Sequence, residues 1–305
     1  MSRKQTLHLL PLLPLVACTG VTDERHLEQA LVVENAVFHE GSLTSSDAAE
    51  ATVTSLSFSL GSVTAGAHDV PVSGRASSDA YAIAFALDDR GSGYWTRKVG
   101  TEDPSFPGEL AFDALLQIGT NITPGLTTLS VRAIDGNGRP GPAEELSLCV
   151  LPDIPDHGNA CDPKVEPPRA VVSLAWDSDA DLDLTVVSPS GKVYNRSRRG
   201  VANNAGKVLA SFDRDSSAGC QQDGKRRESF VVESVPERGP WKVYAGLFDA
   251  CGAASARYEL DLYEREETEE GRYALTRKSR THGVLLRSQA DGGGKPPFYI
   301  TSVSL

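Results

Sequence analysis

Four aspartates stand at alternate positions in the run Trp176-Asp177-Ser178-Asp179-Ala180-Asp181-Leu182-Asp183-Leu184-Thr185-Val186. Carboxylates packed that closely repel one another unless each is solvated or a cation neutralises several at once. Hard oxygen donors on a flexible loop suit Ca2+, which is plentiful outside the cytoplasm. Downstream, Asp213 and Asp215 follow a strand-like stretch, and Glu228 opens another. A metal site on Asp177, Asp179, Asp181 and Asp183 would have to be closed from neighbouring strands by Asp213, Asp215 or Glu228. Two readings stay open: a Ca2+ site, or turn-favouring aspartates solvated on a polar face.

The spacing Asp177-x-Asp179-x-Asp181 opens like an EF-hand loop, but Leu182 and Ser188 occupy the positions of its glycine and its closing glutamate. It is therefore not one. No other constellation offers catalysis. The chain lacks G-x-S-x-G, H-E-x-x-H, a P-loop and a strand-borne G-x-G-x-x-G. His26, His39, His68, His157 and His282 are scattered, mostly through tether, linker and turn sequence. No catalytic residue is assigned, and the expectation is a protein that is not an enzyme.

The elements that must carry the aspartates read as β. Leu182, Leu184 and Val186 fall on one face of a strand, and Asp181, Asp183 and Thr185 on the other. Of 305 residues, 40% are hydrophobic and 23% charged, with 28 Gly and 18 Pro, which fits a globular, turn-rich chain. No apolar run is long enough for a membrane-spanning helix. The formal net charge of −11 repels phosphate backbones, so no nucleic-acid partner is expected.

Residues 1–17 read as an export signal: Arg3 and Lys4 form a basic start, and Leu7 to Ala17 an apolar stretch too short to span a membrane. The stretch ends in Leu15-Val16-Ala17-Cys18, which resembles the lipobox of bacterial lipoproteins. That resemblance implies cleavage before Cys18 and acylation of its thiol and new N-terminus, with more than one acyl chain giving stable anchoring. Thr19 rather than Asp follows the cysteine, which favours the outer membrane of a Gram-negative cell envelope. Cys149, Cys161, Cys220 and Cys251 remain, an even number suited to an oxidising compartment. Of the three pairings, the order along the chain favours Cys149–Cys161 and Cys220–Cys251.

Residues 18–50 read as a lipidated tether with one short helix or strand. Residues 51–150 read as a β-sandwich of short strands and frequent turns. The pattern fits an immunoglobulin-like sandwich, and Pro124-Gly125 through Val131-Arg132-Ala133-Ile134-Asp135-Gly136-Asn137-Gly138 resembles the hairpin of the last two strands of fibronectin-III-like and related bacterial modules. Trp95 is expected at the core or its rim. The proline-rich stretch 151–168 reads as a linker. Residues 169–305 show ten strand-like runs, at 170–176, 181–188, 192–195, 207–213, 228–234, 241–248, 256–264, 272–278, 284–288 and 298–304, which suggest a jelly-roll-like sandwich. The glutamates between Glu264 and Glu270 read as a solvated hairpin tip.

In this second domain, the Trp176 to Gly191 run, Gly206 to Asp215, Arg227-Glu228-Ser229 and Gly239-Pro240-Trp241-Lys242-Val243-Tyr244 together resemble YfaP-like domains. More loosely they are similar to the jelly-roll accessory domains of secreted proteases, the P-domain and pre-peptidase C-terminal types. The fold class expected is all-β: two antiparallel β-sandwiches, immunoglobulin-like and then jelly-roll-like, behind a lipidated tether. The function expected is a non-enzymatic envelope lipoprotein serving as a binding or structural module. The alternative is an accessory subunit of a secreted hydrolase or envelope machine. Its partners would be the membrane, through the lipid, and an envelope protein or carbohydrate.

Overall fold

The computed structural model describes residues 27–58, 60–88 and 90–305. Residues 1–17, read above as an export signal, and Cys18 lie outside the described residues. Two all-β units follow one another, each a pair of packed sheets with its own core.

The first unit comprises β1 (Leu31–Val33), β2 (Val37–His39), β3 (Val53–Phe58), β4 (Ser62–Thr64), β5 (Val70–Ser77), β6 (Ala80–Leu87), β7 (Tyr94–Lys98), β8 (Glu109–Ile118), β9 (Gly125–Asp135) and β10 (Pro140–Leu151). One sheet has the order β1-β8-β5-β3 and the other β2-β7-β6-β9-β10-β4. Pairing is antiparallel except where β4 lies parallel to β10, with Ser62 opposite Cys149. Alternation along β6 and β9 turns Ile83, Phe85, Leu129 and Val131 to the core.

This unit begins earlier than the sequence pattern indicates. The stretch read as a tether over 18–50 contains a 3-10 turn at Leu27–Gln29 and both β1 and β2, all built into the sandwich. Leu27, Leu31 and Val33 are buried, and Phe38 packs on Trp95 at 5.2 Å between ring centroids. Burying such side chains stabilises by about 1.5–3 kcal/mol each, enough to hold strands too short to show a period of two. Trp95 lies half-buried as expected and donates its indole N–H to Leu31 O.

The second unit comprises β11 (Ala170–Trp176), β12 (Asp181–Val187), β13 (Val193–Tyr194), β14 (Gly200–Ala202), β15 (Val208–Phe212), β16 (Arg227–Val232), β17 (Pro240–Asp249), β18 (Ser255–Glu269), β19 (Arg272–Leu286) and β20 (Phe298–Ser304). Its sheets run β14-β15-β16-β11-β18-β19 and β13-β12-β17-β20. Leu174, Leu182, Leu184, Phe230 and Trp241 fill the space between them. The runs at 272–278 and 284–288 join in one strand, β19, which ends at Leu286, residues 287 and 288 entering a 3-10 turn. The polar residues between the two runs belong to a sheet edge, where Arg280 reaches back to Asp261. The glutamate-rich tip is a hairpin turning at Gly271 (φ 68°), with strand pairing continuing out to Glu269 and Arg272.

Both expected disulfides are present, Cys149–Cys161 and Cys220–Cys251. The segment between the units is held at both ends of its course. Asp156 accepts the N–H groups of Gly158 and Ala160, and Asn159 donates to Val165 O and to Tyr273 O on β19. Arg265 pairs with Glu166.

Candidate functional site

The aspartates of 177–183 are delivered by a tight connection between β11 and β12. The Trp176 indole N–H donates to Ala180 O at 2.8 Å, closing the loop and setting Asp181 at the head of β12. Leu182, Leu184 and Val186 then face the core, and Asp183 and Thr185 the opposite side, as the alternation requires. Asp181 nevertheless is wholly buried. The loop after β15 folds over it, with Ser217, Gly219 and Cys220 all left-handed (φ 60°, 58° and 65°), so that the Gly219 N–H meets Asp181 Oδ2 at 2.7 Å. The Cys220–Cys251 bridge fastens this loop to the segment just after β17.

The structure gathers Asp181, Asp183 and Asp215: each offers a carboxylate oxygen within 4.8 Å of the others'. Glu228 approaches from the opposite sheet. β13 pairs only with Val186 and Val187 of β12, and upstream of it Glu228 Oε2 accepts the N–H of Leu184 at 2.7 Å. Glu228 is only 2% exposed. Asp181 Oδ1, Asp183 Oδ1, Asp215 Oδ1 and Glu228 Oε1 are all shut off from solvent without a hydrogen-bond partner among the described residues. Unsatisfied buried acceptors of this kind are uncommon, and each costs about 1–3 kcal/mol or more when charged.

The other three candidate ligands are engaged elsewhere. Asp177 Oδ1 accepts the N–H of Arg257, and Asp179 pairs with Arg226 at 2.5 Å. Asp213 accepts the N–H of Ser229 and binds the Arg214 side chain at 3.0 Å. Only half of the six-aspartate set therefore converges. Asp215, on the loop after β15, supplies the closing carboxylate that the sequence required.

Positive charge is scarce at the cluster. Arg196 approaches Asp183 to 3.6 Å, and its guanidinium lies 4.2 Å from the Phe248 ring centroid. Burial, reinforced by neighbouring carboxylates, pushes the Asp183 carboxyl up to about 6. Burial first, and then Asp215 and Asp249, raise Asp181 against the Gly219 hydrogen bond that opposes them. Glu228 is raised well above the ordinary range, chiefly by burial, with Asp183 and Asp215 adding to it. Asp183 also forms part of a cleft of about 180 Å³ lined with Thr185, Arg196, Phe248, Asp291 and Lys295. Arg196 and Asp291 carry no motif. The Asp291-Gly-Gly-Gly turn was the one signal in the sequence, since glycines following an aspartate mark a side-chain-capped turn.

No family model matches the chain, and no curated protein does. Among solved structures it is similar to the adhesin InvE of Yersinia pseudotuberculosis, at 14% identity and a TM-score of 0.23, over 76% of this chain and 60% of that one. It is also similar to the C-terminal domain of the AgI/II polypeptide BspA of Streptococcus agalactiae, at 11% identity and a TM-score of 0.22, over 72% of this chain and 94% of that one. The chain thus spans less than two thirds of InvE. Likeness at these TM-scores carries no functional argument.

Proposed function

We propose that the protein is a lipid-anchored cell-envelope protein of the outer membrane, and that its two sandwiches serve as a non-enzymatic binding or structural module. The anchor rests on Arg3-Lys4, the apolar stretch to Ala17 and the lipobox-like Leu15-Val16-Ala17-Cys18. The observation that carries the non-enzymatic reading is how the acidic residues are spent. Asp177, Asp181, Asp213 and Glu228 each accept a backbone N–H from a different element, and Asp179 pairs with an arginine. A carboxylate as buried as Glu228, committed to the edge of β12, is placed to fasten a sandwich rather than to exchange protons with a substrate.

Cell fractionation tests the anchor. The wild-type protein should sediment with outer membranes and carry the mass of its acyl chains, and Cys18→Ser should move it to the soluble fraction. An unchanged distribution, or a mature mass without acyl chains, rejects the reading.

A further inference from the structure

The geometry points to a Ca2+ site formed by Asp181, Asp183 and Asp215, with Glu228 as its fourth, outer carboxylate. This goes beyond the anchoring proposal and does not depend on it. Two ligands of one Ca2+ ion, each at 2.3–2.6 Å, stand at most about 5 Å apart. The oxygens of Asp181, Asp183 and Asp215 meet that limit, lying within 4.8 Å of one another. Glu228 is outside that trio, and we assign it a place reached through a bridging water, as Ca2+ sites commonly include.

Acidic clusters are common on protein surfaces without binding anything. This one differs in burial and in the way its oxygens are held. Asp181 is 0% and Glu228 2% exposed, and each keeps one oxygen on a backbone N–H, Gly219 for Asp181 and Leu184 for Glu228. Each leaves its second oxygen buried and, among the described residues, without a hydrogen-bond partner. A carboxylate so fixed by one oxygen is oriented to offer the other, the role that outer-shell hydrogen bonds play around metal ligands. Among the described residues a single ion pair reaches these carboxylates, Arg196 to Asp183 at 3.6 Å, so a bound cation would supply charge that the protein does not.

The donor chemistry selects the ion. All four groups are carboxylates; the neighbouring Cys220 and Cys251 sulfurs are joined in a disulfide and are not thiolates. Hard oxygen donors alone disfavour Zn2+ and Cu2+. The ligands come from the head of β12, the loop after β15 and, at the outer position, β16. Such an irregular set suits the loose geometry of Ca2+ better than the strict octahedron that Mg2+ demands.

The test is made on the whole purified protein after chelation. Titration calorimetry should show one Ca2+ bound per chain, and the melting temperature should rise by several degrees in millimolar Ca2+, with a much smaller rise in Mg2+. Asp183→Asn and Asp215→Asn should each weaken binding at least tenfold. Because either variant could lose the fold, a measurement on the unaltered chain accompanies them. Tb3+ bound at the site should emit on tryptophan excitation, since Trp176 bonds to the residue preceding Asp181, and Ca2+ should quench that emission by displacement. No binding heat and no melting shift with Ca2+, an equal response to Mg2+, or undiminished binding by folded Asp183→Asn would overturn the assignment.

Discussion

Asp261 and Glu228 lie on β18 and β16, the two neighbours of β11, and both are almost completely buried, at 3% and 2% exposure. Asp261 stands opposite Ser173 and Glu228 opposite Leu174, so they occupy opposite faces of one sheet. Asp261 receives two bonds of 2.8 Å from the Arg280 guanidinium and one of 3.1 Å from the Tyr263 hydroxyl, with Arg277 at 3.8 Å. Although burial opposes it, these partners hold the Asp261 carboxyl below the ordinary range. Glu228 has a backbone N–H and other carboxylates, and its carboxyl is pushed up. Equal burial therefore gives opposite electrostatics. The fold has supplied a cation on one face of the sheet and left the other face short of one.

The largest expected effects come from breaking covalent support on one side of this comparison. Replacing Cys220 and Cys251 by serine should destabilise the protein by about 4 kcal/mol on the chain-entropy account, against about 3 kcal/mol for Cys149 and Cys161, whose loop is shorter. Thermal unfolding checks the order. Only the first pair should also abolish cation binding, because it frees the loop that carries Asp215 and Gly219.

Next is the removal of the arginines. Arg280→Ala should cost about 3 kcal/mol by stranding the Asp261 carboxylate. Arg196→Ala should change stability by less than about 1 kcal/mol, since Arg196 is 3.6 Å from Asp183 without a hydrogen bond. Equal losses in denaturant unfolding would show that Arg196 neutralises the cluster after all.

pH should then separate the two faces by sign. Asp183 holds its proton more tightly folded than unfolded, so its contribution is fully present below its unfolded value of 3.8 and is lost as pH rises through about 6. Asp261 is the reverse: its contribution is present above 3.8 and lost as pH falls through its depressed folded value. In chelator, raising the pH from about 5 to about 7.5 should therefore lower the melting temperature, and saturating cation should remove that fall. A melting temperature that rises over this interval in chelator contradicts the buried-cluster account.

The smallest effect is the most diagnostic. Glu228→Gln should stabilise the chelated protein by about 1 kcal/mol, because the amide still accepts the Leu184 N–H and can donate to neighbouring carboxylates. The corresponding Asp261→Asn should destabilise it. Paired denaturant unfolding of the two variants reads the two signs directly.

Much of this architecture was legible in the sequence. The alternation of Leu182, Leu184 and Val186 with aspartates located β12 and its two faces, and the order of the cysteines gave both disulfides. Short strands were not legible: β1 and β2 have three residues each, fewer than a period-two pattern needs. Nor could the sequence sort the aspartates. Asp177, Asp179 and Asp213 match Asp181 and Asp183 in type and near-spacing. What separates them is partners far away in sequence: Arg257 for Asp177, Arg226 for Asp179, Ser229 for Asp213, and Gly219 for Asp181. Glu228 could be nominated as a closing residue, but its place depended on where β13 stops pairing with β12.

The Cys149–Cys161 bridge has a mechanical consequence. Cys149 lies in β10, inside a six-stranded sheet, and Cys161 lies twelve residues further on, in the segment leading to β11. A pull on the second sandwich against the first therefore bypasses residues 150–160. The load enters the sheet through sulfur, not through the end of β10, and that length of chain cannot pay out as slack. Beyond Cys161, the Tyr273 N–H donates to Pro163 O and Arg265 pairs with Glu166, so the β18–β19 hairpin grips what is left. Tension between the two sandwiches is thus borne by a short, clasped strap.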